Sequence, residues 1–153
     1  MVSHALNKSH LDGDAALNYV DKKKALWILS VLWPATPLVG LCRFSETGWS
    51  IWYGLVLILW YLIIPALDFV FGQDYSNPPE SAVEKLEKST YYRVLLYLTV
   101  PIHFAALIGC AWWVATQDLS ALEFIALALS LGVVNGLALN TGHELGHKKS
   151  SFS

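Results

Sequence analysis

Four stretches of this chain are almost wholly apolar: Ala25 to Cys42, Trp49 to Phe71, Tyr91 to Ala115 and Leu119 to Leu139. Each has about the 17 to 25 residues that carry a helix across the hydrocarbon core of a bilayer. The breaks Arg43 to Gly48 and Thr116 to Asp118 are short, so the spans pair into two helical hairpins. The longer connection, Gly72 to Thr90, contains Pro78, Pro79 and Glu80, the pattern of a helix start. Val83 and Leu86 then give a narrow apolar edge among Glu84, Lys85, Glu87 and Lys88, which predicts a short helix lying at the interface. The expected fold is all-α, a membrane helix bundle. A polar tail over 1–21 precedes one membrane domain over 22–153, whose spans lie at about 25–42, 49–71, 91–115 and 119–139.

Composition supports this reading. Of 153 residues, 55% are hydrophobic and 14% charged, and the mean hydropathy is +0.45, far from a soluble norm. The net charge of −2 and the lack of a basic patch exclude a nucleic-acid partner; the lipid bilayer is the partner instead. Charge sets the topology. With the N-terminus inside, Lys8, Lys22, Lys23, Lys24, Lys85, Lys88, Arg93, Lys148 and Lys149 all face the cytoplasm and only Arg43 lies outside. The expected location is a bacterial inner (cytoplasmic) membrane. Lys22 to Lys24 before an apolar run resembles a signal peptide, but Pro34 and Pro37 and the lack of a cleavage site favour a retained span.

The chemistry lies in NTGHELGHKK, positions 140 to 149, where the last helix is expected to continue past its span. Residues four apart stack on one helical face, so His143 and His147 can hold one metal. Glu144 is adjacent and Asn140 stands one turn earlier, on the same stripe. HELGH fits HExxH, where two histidines bind zinc and the glutamate is a general base for peptide hydrolysis. It equally fits HxxxH, the first box of membrane di-iron oxygenases, and imidazole suits both metals. The pattern alone leaves both open.

Other positions are less specific. Asp68, in the last turn of the second span, is either an ion reaching water or an outer partner that orients a metal-bound histidine. Trp27, Trp33, Trp49, Trp52, Trp112 and Trp113 lie toward span ends, as interfacial aromatics do, whereas Trp60 sits mid-span. Trp60 is either a packed or lipid-facing ring or a side chain that narrows a substrate tunnel. Pro34, Pro37, Pro65 and Pro101 predict kinks and space between helices. His103 lies about 18 Å into its span, too far in depth from His143 to share a metal, and reads as a hydrogen-bonded core histidine. Cys42 and Cys110 lack ligand spacing and read as buried free thiols. His4 and His10, in the tail, have no partner at ligand spacing.

Resemblance separates the two metal readings. The box, with YVDKKKALWILSVLWPATPLVG at 19–40, ETGWSIWYGLVLILWY at 46–61, NPPE at 77–80, KLEKSTYYRVLLYLTVPIHFAAL at 85–107 and LALSLGVVNGLALNTGHELGHKK at 127–149, resembles the N-terminal part of the bacterial alkane 1-monooxygenases. The resemblance implies an oxidoreductase of six membrane helices, four of them present here, that uses two non-haem iron ions and O2 to hydroxylate the terminal methyl of an alkane substrate. It implies electrons from rubredoxin, itself reduced by an NAD(P)H-dependent rubredoxin reductase. It assigns His143 and His147 as iron ligands and Glu144 as the catalytic candidate that orients a ligand or tunes the centre. Asn140 and Asp68 become outer-layer candidates, and Trp60 a substrate-tunnel candidate. The family's later histidine boxes and last two spans are not in this sequence, so the chain is expected to be a partial sequence or truncated product, inactive alone.

Two other classes stand beside this one: an intramembrane HExxH zinc metalloprotease and a non-catalytic four-helix membrane module. The topology has its own test. Alkaline phosphatase fused within 43–48 should be active in whole cells, and the same reporter fused within 72–90 inactive.

Overall fold

The computed structural model describes residues 19–72 and 78–147. All regular elements among them are helices: α1 (Lys24–Thr47), α2 (Ser50–Phe71), α3 (Glu80–Glu87), α4 (Thr90–Thr116) and α5 (Ala121–His147). α1, α2, α4 and the Ala121–Asn140 part of α5 are long and apolar enough to span a membrane, within a few residues of the hydropathy pattern except that α1 runs on to Thr47. They form a ring in the order α1, α2, α5, α4. Both hairpin turns, at 48–49 and 117–120, lie at one end, here the turn end. The histidine box lies at the other.

Local chemistry explains the turns. Gly48 takes φ +70°, which only glycine adopts without strain, and its N–H reaches the Phe44 carbonyl at 2.7 Å, closing α1. At the start of α5, Ser120 and Glu123 form a capping box. The Ser120 N–H donates to Glu123 Oε2 at 2.8 Å, and the Glu123 N–H donates to Ser120 Oγ at 3.4 Å. The signature S-x-x-E is in the sequence and marks this start.

The prolines disturb the spans as their missing N–H groups require. α1 tightens into a 3₁₀ turn at Trp33–Ala35, and because Pro37 cannot donate to the Trp33 carbonyl, Thr36 Oγ1 does so at 2.6 Å. α2 begins as a 3₁₀ turn at Ser50–Gly54 and widens to a π-helical turn at Leu59–Ile63, just before Pro65. α4 carries Pro101 without a break in its helix.

The core gathers at the turn end around Tyr53, Leu41, Cys110 and Leu127. Tyr53 is 1% exposed; its hydroxyl accepts from Trp113 Nε1 at 3.1 Å, its carbonyl accepts from Ser130 Oγ at 2.8 Å, and its ring packs on Phe44 at 4.6 Å. One residue of α2 thus ties α1, α4 and α5. Small residues let the helices approach: a Cβ on Gly40 would stand 2.5 Å from the Trp52 carbonyl oxygen. Toward the box end the packing opens, and every residue of α2 from Trp60 onward is exposed.

Two expectations need correction. The buried edge of α3 is Ala82, fully buried, with Leu86 four residues on; Val83 is exposed, because the helix turns the i, i+4 pair toward α4. Cys42 is not buried: it lies on the outward side of α1, whereas Cys110 is in the core, and both thiols are free. The Tyr53 cluster gives a prediction. Because backbone rather than a flexible side chain opposes the new methyl, Gly40→Ala should cost about 1–3 kcal/mol, read as a lower unfolding midpoint in detergent, while Gly132→Ala, which meets open space, stays near wild type.

Candidate functional site

The box rides on the final two turns of α5, which stays helical through His147. Helical pitch places Asn140, His143, Glu144 and His147 along one stripe. Asn140 and His143 present exposed side chains; those of Glu144 and His147 lie outside the described ones, as do Lys148 and Lys149 altogether. Among the described residues, no three His, Cys, Asp or Glu side chains converge on one point. Two imidazoles on one stripe match part of the donor set of an iron or zinc ion and no more.

Next to the box the bundle forms a half-open cavity of about 880 Å³. Its wall is mostly apolar, with Pro34, Leu95, Leu96 and Leu137 from three spans and Leu86 from α3. Asn140 lines it, one turn before His143, so the cavity ends on the helix that carries the box. His103 and Trp33 line it deeper in the bundle. Counted along the α4–α5 hairpin, His103 lies level with Val134, and Asn140 is about 9 Å nearer the box end. His103 is 9% exposed, and its Nδ1 lies 2.8 Å from the Thr99 carbonyl, the hydrogen-bonded core histidine expected.

The remaining candidates fall outside that wall. Trp60 is 36% exposed and packs on Trp33, ring centroids 5.2 Å apart and planes at 45°. It therefore stands one layer behind the cavity, able to shape it only by moving Trp33. Asp68 is exposed at the box end of α2 and is not a wall residue; its carbonyl accepts the Gly72 N–H at 2.9 Å.

The mouth carries an arrangement that sequence reading missed. Asp21, immediately before α1, receives the Lys23 N–H at 2.8 Å, Trp27 Nε1 at 3.0 Å and the Tyr92 hydroxyl of α4. All four residues line the cavity. The Tyr91 hydroxyl adds a bond to the Lys24 carbonyl at 2.7 Å. No local pattern signals these contacts, since Asp21 and Tyr92 are 71 positions apart. The Tyr92 hydrogen bond, first, and then those from Lys23 and Trp27 hold the Asp21 carboxyl below the ordinary aspartate range.

No family model matches the chain. Individual proteins do. The chain is 72% identical over 134 residues to alkane 1-monooxygenase 1 of Alcanivorax borkumensis, covering 88% of this chain and 33% of that protein. It is 68% identical over 139 residues to the alkane 1-monooxygenase of Ectopseudomonas oleovorans, covering 91% of this chain and 35% of that protein. The alkane 1-monooxygenase of Acinetobacter baylyi is 32% identical over 139 residues. The chain spans about a third of the length of the curated relatives it matches, in their N-terminal part.

The mouth contacts predict a pH effect. A carboxyl whose folded pKa is depressed contributes stability above its unfolded value, about 3.9, and loses it as pH falls through the folded one. Hydrogen exchange at 22–27 should therefore accelerate below about pH 4 beyond its intrinsic pH dependence. Asp21→Asn should show faster exchange already at neutral pH, with that acid-side step gone.

Proposed function

Because this chain belongs to the alkane 1-monooxygenase family, we propose that it supplies the first histidine box and part of the substrate route of an enzyme that hydroxylates medium- to long-chain n-alkanes to 1-alkanols. The reaction takes O2 and draws electrons from rubredoxin, which rubredoxin reductase and NAD(P)H keep reduced. The observation that supports this best is the apolar cavity ending at Asn140, on the helix that carries the box.

In this reading each residue has a task. His143 and His147 hold iron through neutral imidazole nitrogens. When bound, two irons supply the activation of O2 that no amino-acid side chain provides. Glu144 and Asn140 orient those imidazoles by hydrogen bonding, since ligands need fixed ring positions. The cavity wall binds the alkane by burial alone, excludes water and aims one chain end at the box. Trp60 limits chain length through its packing on Trp33. Asp68 stays a candidate outer partner of the ligands.

The membrane setting makes these tasks compatible. An alkane dissolved in the bilayer core enters laterally, between helices, while a soluble electron donor approaches from the cytoplasm. The excess of Lys and Arg supports a cytoplasmic N-terminus and box in the inner membrane of a bacterium.

The test uses the full-length protein. His143→Ala and His147→Ala should each remove bound iron and abolish 1-dodecanol formation from n-dodecane. Glu144→Gln should keep most iron and lower turnover about 10–100-fold. One zinc per chain, with peptide cleavage that Glu144→Gln abolishes, would replace this reading with the protease.

A further inference from the structure

The box sits on the face of α5 that points away from the bundle. Val134 is fully buried, and Ser130 and Leu127 lie with it on the inner side of the helix. His143 stands nine positions beyond Val134, and nine steps of about 100° bring it to the opposite face. Its side chain is exposed. Asn140, on the flank between, is where this outer face meets the cavity.

The outer face is bare along most of α5. Ile125, a whole number of turns before His143 and in line with it, is 51% exposed, and Leu129 and Leu139 are exposed as well. So are Ala128, Gly132 and Gly136 between them. Nothing lies within 4 Å of a Cβ built on Gly132 or Gly136, so no described residue covers the middle of this face. α2 meets α5 from the inner side, where the Tyr53 carbonyl accepts Ser130 Oγ.

Bilayer hydrocarbon could cover Ile125, Leu129 and Leu139, but it brings no donor to the box. Metal centres in helix bundles are built between facing helices, and among the described residues no three metal-binding side chains converge on one point. In the di-iron reading the missing donors must therefore approach from the side on which His143 lies, away from Val134. The chain matches only the N-terminal third of its curated relatives, so in such a protein most of the polypeptide follows the box. Helices in lipid associate by close backbone approach at small residues. Gly136, about 10 Å below His143 along the axis, and Gly132 one turn further down permit that approach next to the box.

We propose that the outer face of α5, from Ile125 past Gly132 and Gly136 to His143, is the docking surface for a membrane helix of the same polypeptide that follows this chain. That helix packs closely on the glycines and places the box inside a larger bundle instead of on the outside of a four-helix one. The proposal rests on the reading of the box as a metal site.

The test uses the full-length protein in membranes, with the photo-crosslinker p-benzoylphenylalanine in place of Ile125 or of Leu129. On irradiation each probe should join to a peptide from beyond position 153 of the same molecule. Lipid adducts alone, or crosslinks only between two copies, overturn the proposal. Gly136→Leu, which fills the close approach, should weaken iron binding about tenfold or more; unchanged iron affinity also overturns it. The crosslinks are read with both glycines in place, so a Gly136→Leu protein that fails to fold does not remove the test. They form whether the box holds iron or zinc and whether or not n-dodecane is hydroxylated, so this proposal and the hydroxylase reading fail separately.

Discussion

The buried position of Tyr53 is the constraint on which the bundle depends. In a bilayer, apolar side chains gain little by leaving lipid for each other, so helices associate through close packing and the few polar contacts available. Tyr53 concentrates those contacts, with its hydroxyl held by α4, its carbonyl by α5 and its ring by α1. The carbonyl is free to accept Ser130 because α2 opens as a 3₁₀ turn, where the regular ladder is not yet established. Gly40 permits the approach that brings this turn against α1.

Fixing four helices at one end leaves the other end free to diverge. The cavity lies toward that end, lined by Trp33 and Pro34 of the 3₁₀ turn in α1 and by Leu95, Leu96 and His103 of α4. Tight packing and open space thus fall at opposite ends of the bundle. The turn end holds the helices together with polar bonds, and the box end has room for a ligand. The Asp21–Tyr92 contact bridges the wide end at its rim and keeps the start of α1 from leaving α4.

Much of this was legible in the sequence because hydrophobicity in a membrane protein is set by the solvent. Span limits depend on local composition, and the structure reproduces them closely. The stripe of Asn140 and His143 follows from helical pitch alone. The cavity was not legible, since it depends on how α1 and α4 cross, and a sequence does not state a crossing. His103 was legible as a hydrogen-bonded histidine through its i−4 carbonyl, but not as a wall residue. Trp60 shows the limit most clearly: its mid-span position was compatible with a packed ring or a tunnel side chain, and only the structure places it against the Trp33 ring and outside the cavity wall. Val83 was misassigned because three residues with similar spacing compete for the narrow face of a short helix, and packing against α4 chooses among them.

The wide turn at Leu59–Ile63 has a further consequence for how this molecule can vary. A π-helical turn holds one residue more than the α-helical turn it replaces, so it behaves as an absorbed insertion. Removing one residue there would restore α-helical winding and leave the rest of α2 in register with Tyr53. A single-residue deletion, usually ruinous inside a membrane helix because it turns everything beyond it, is taken up at this turn while both ends of α2 keep their facing.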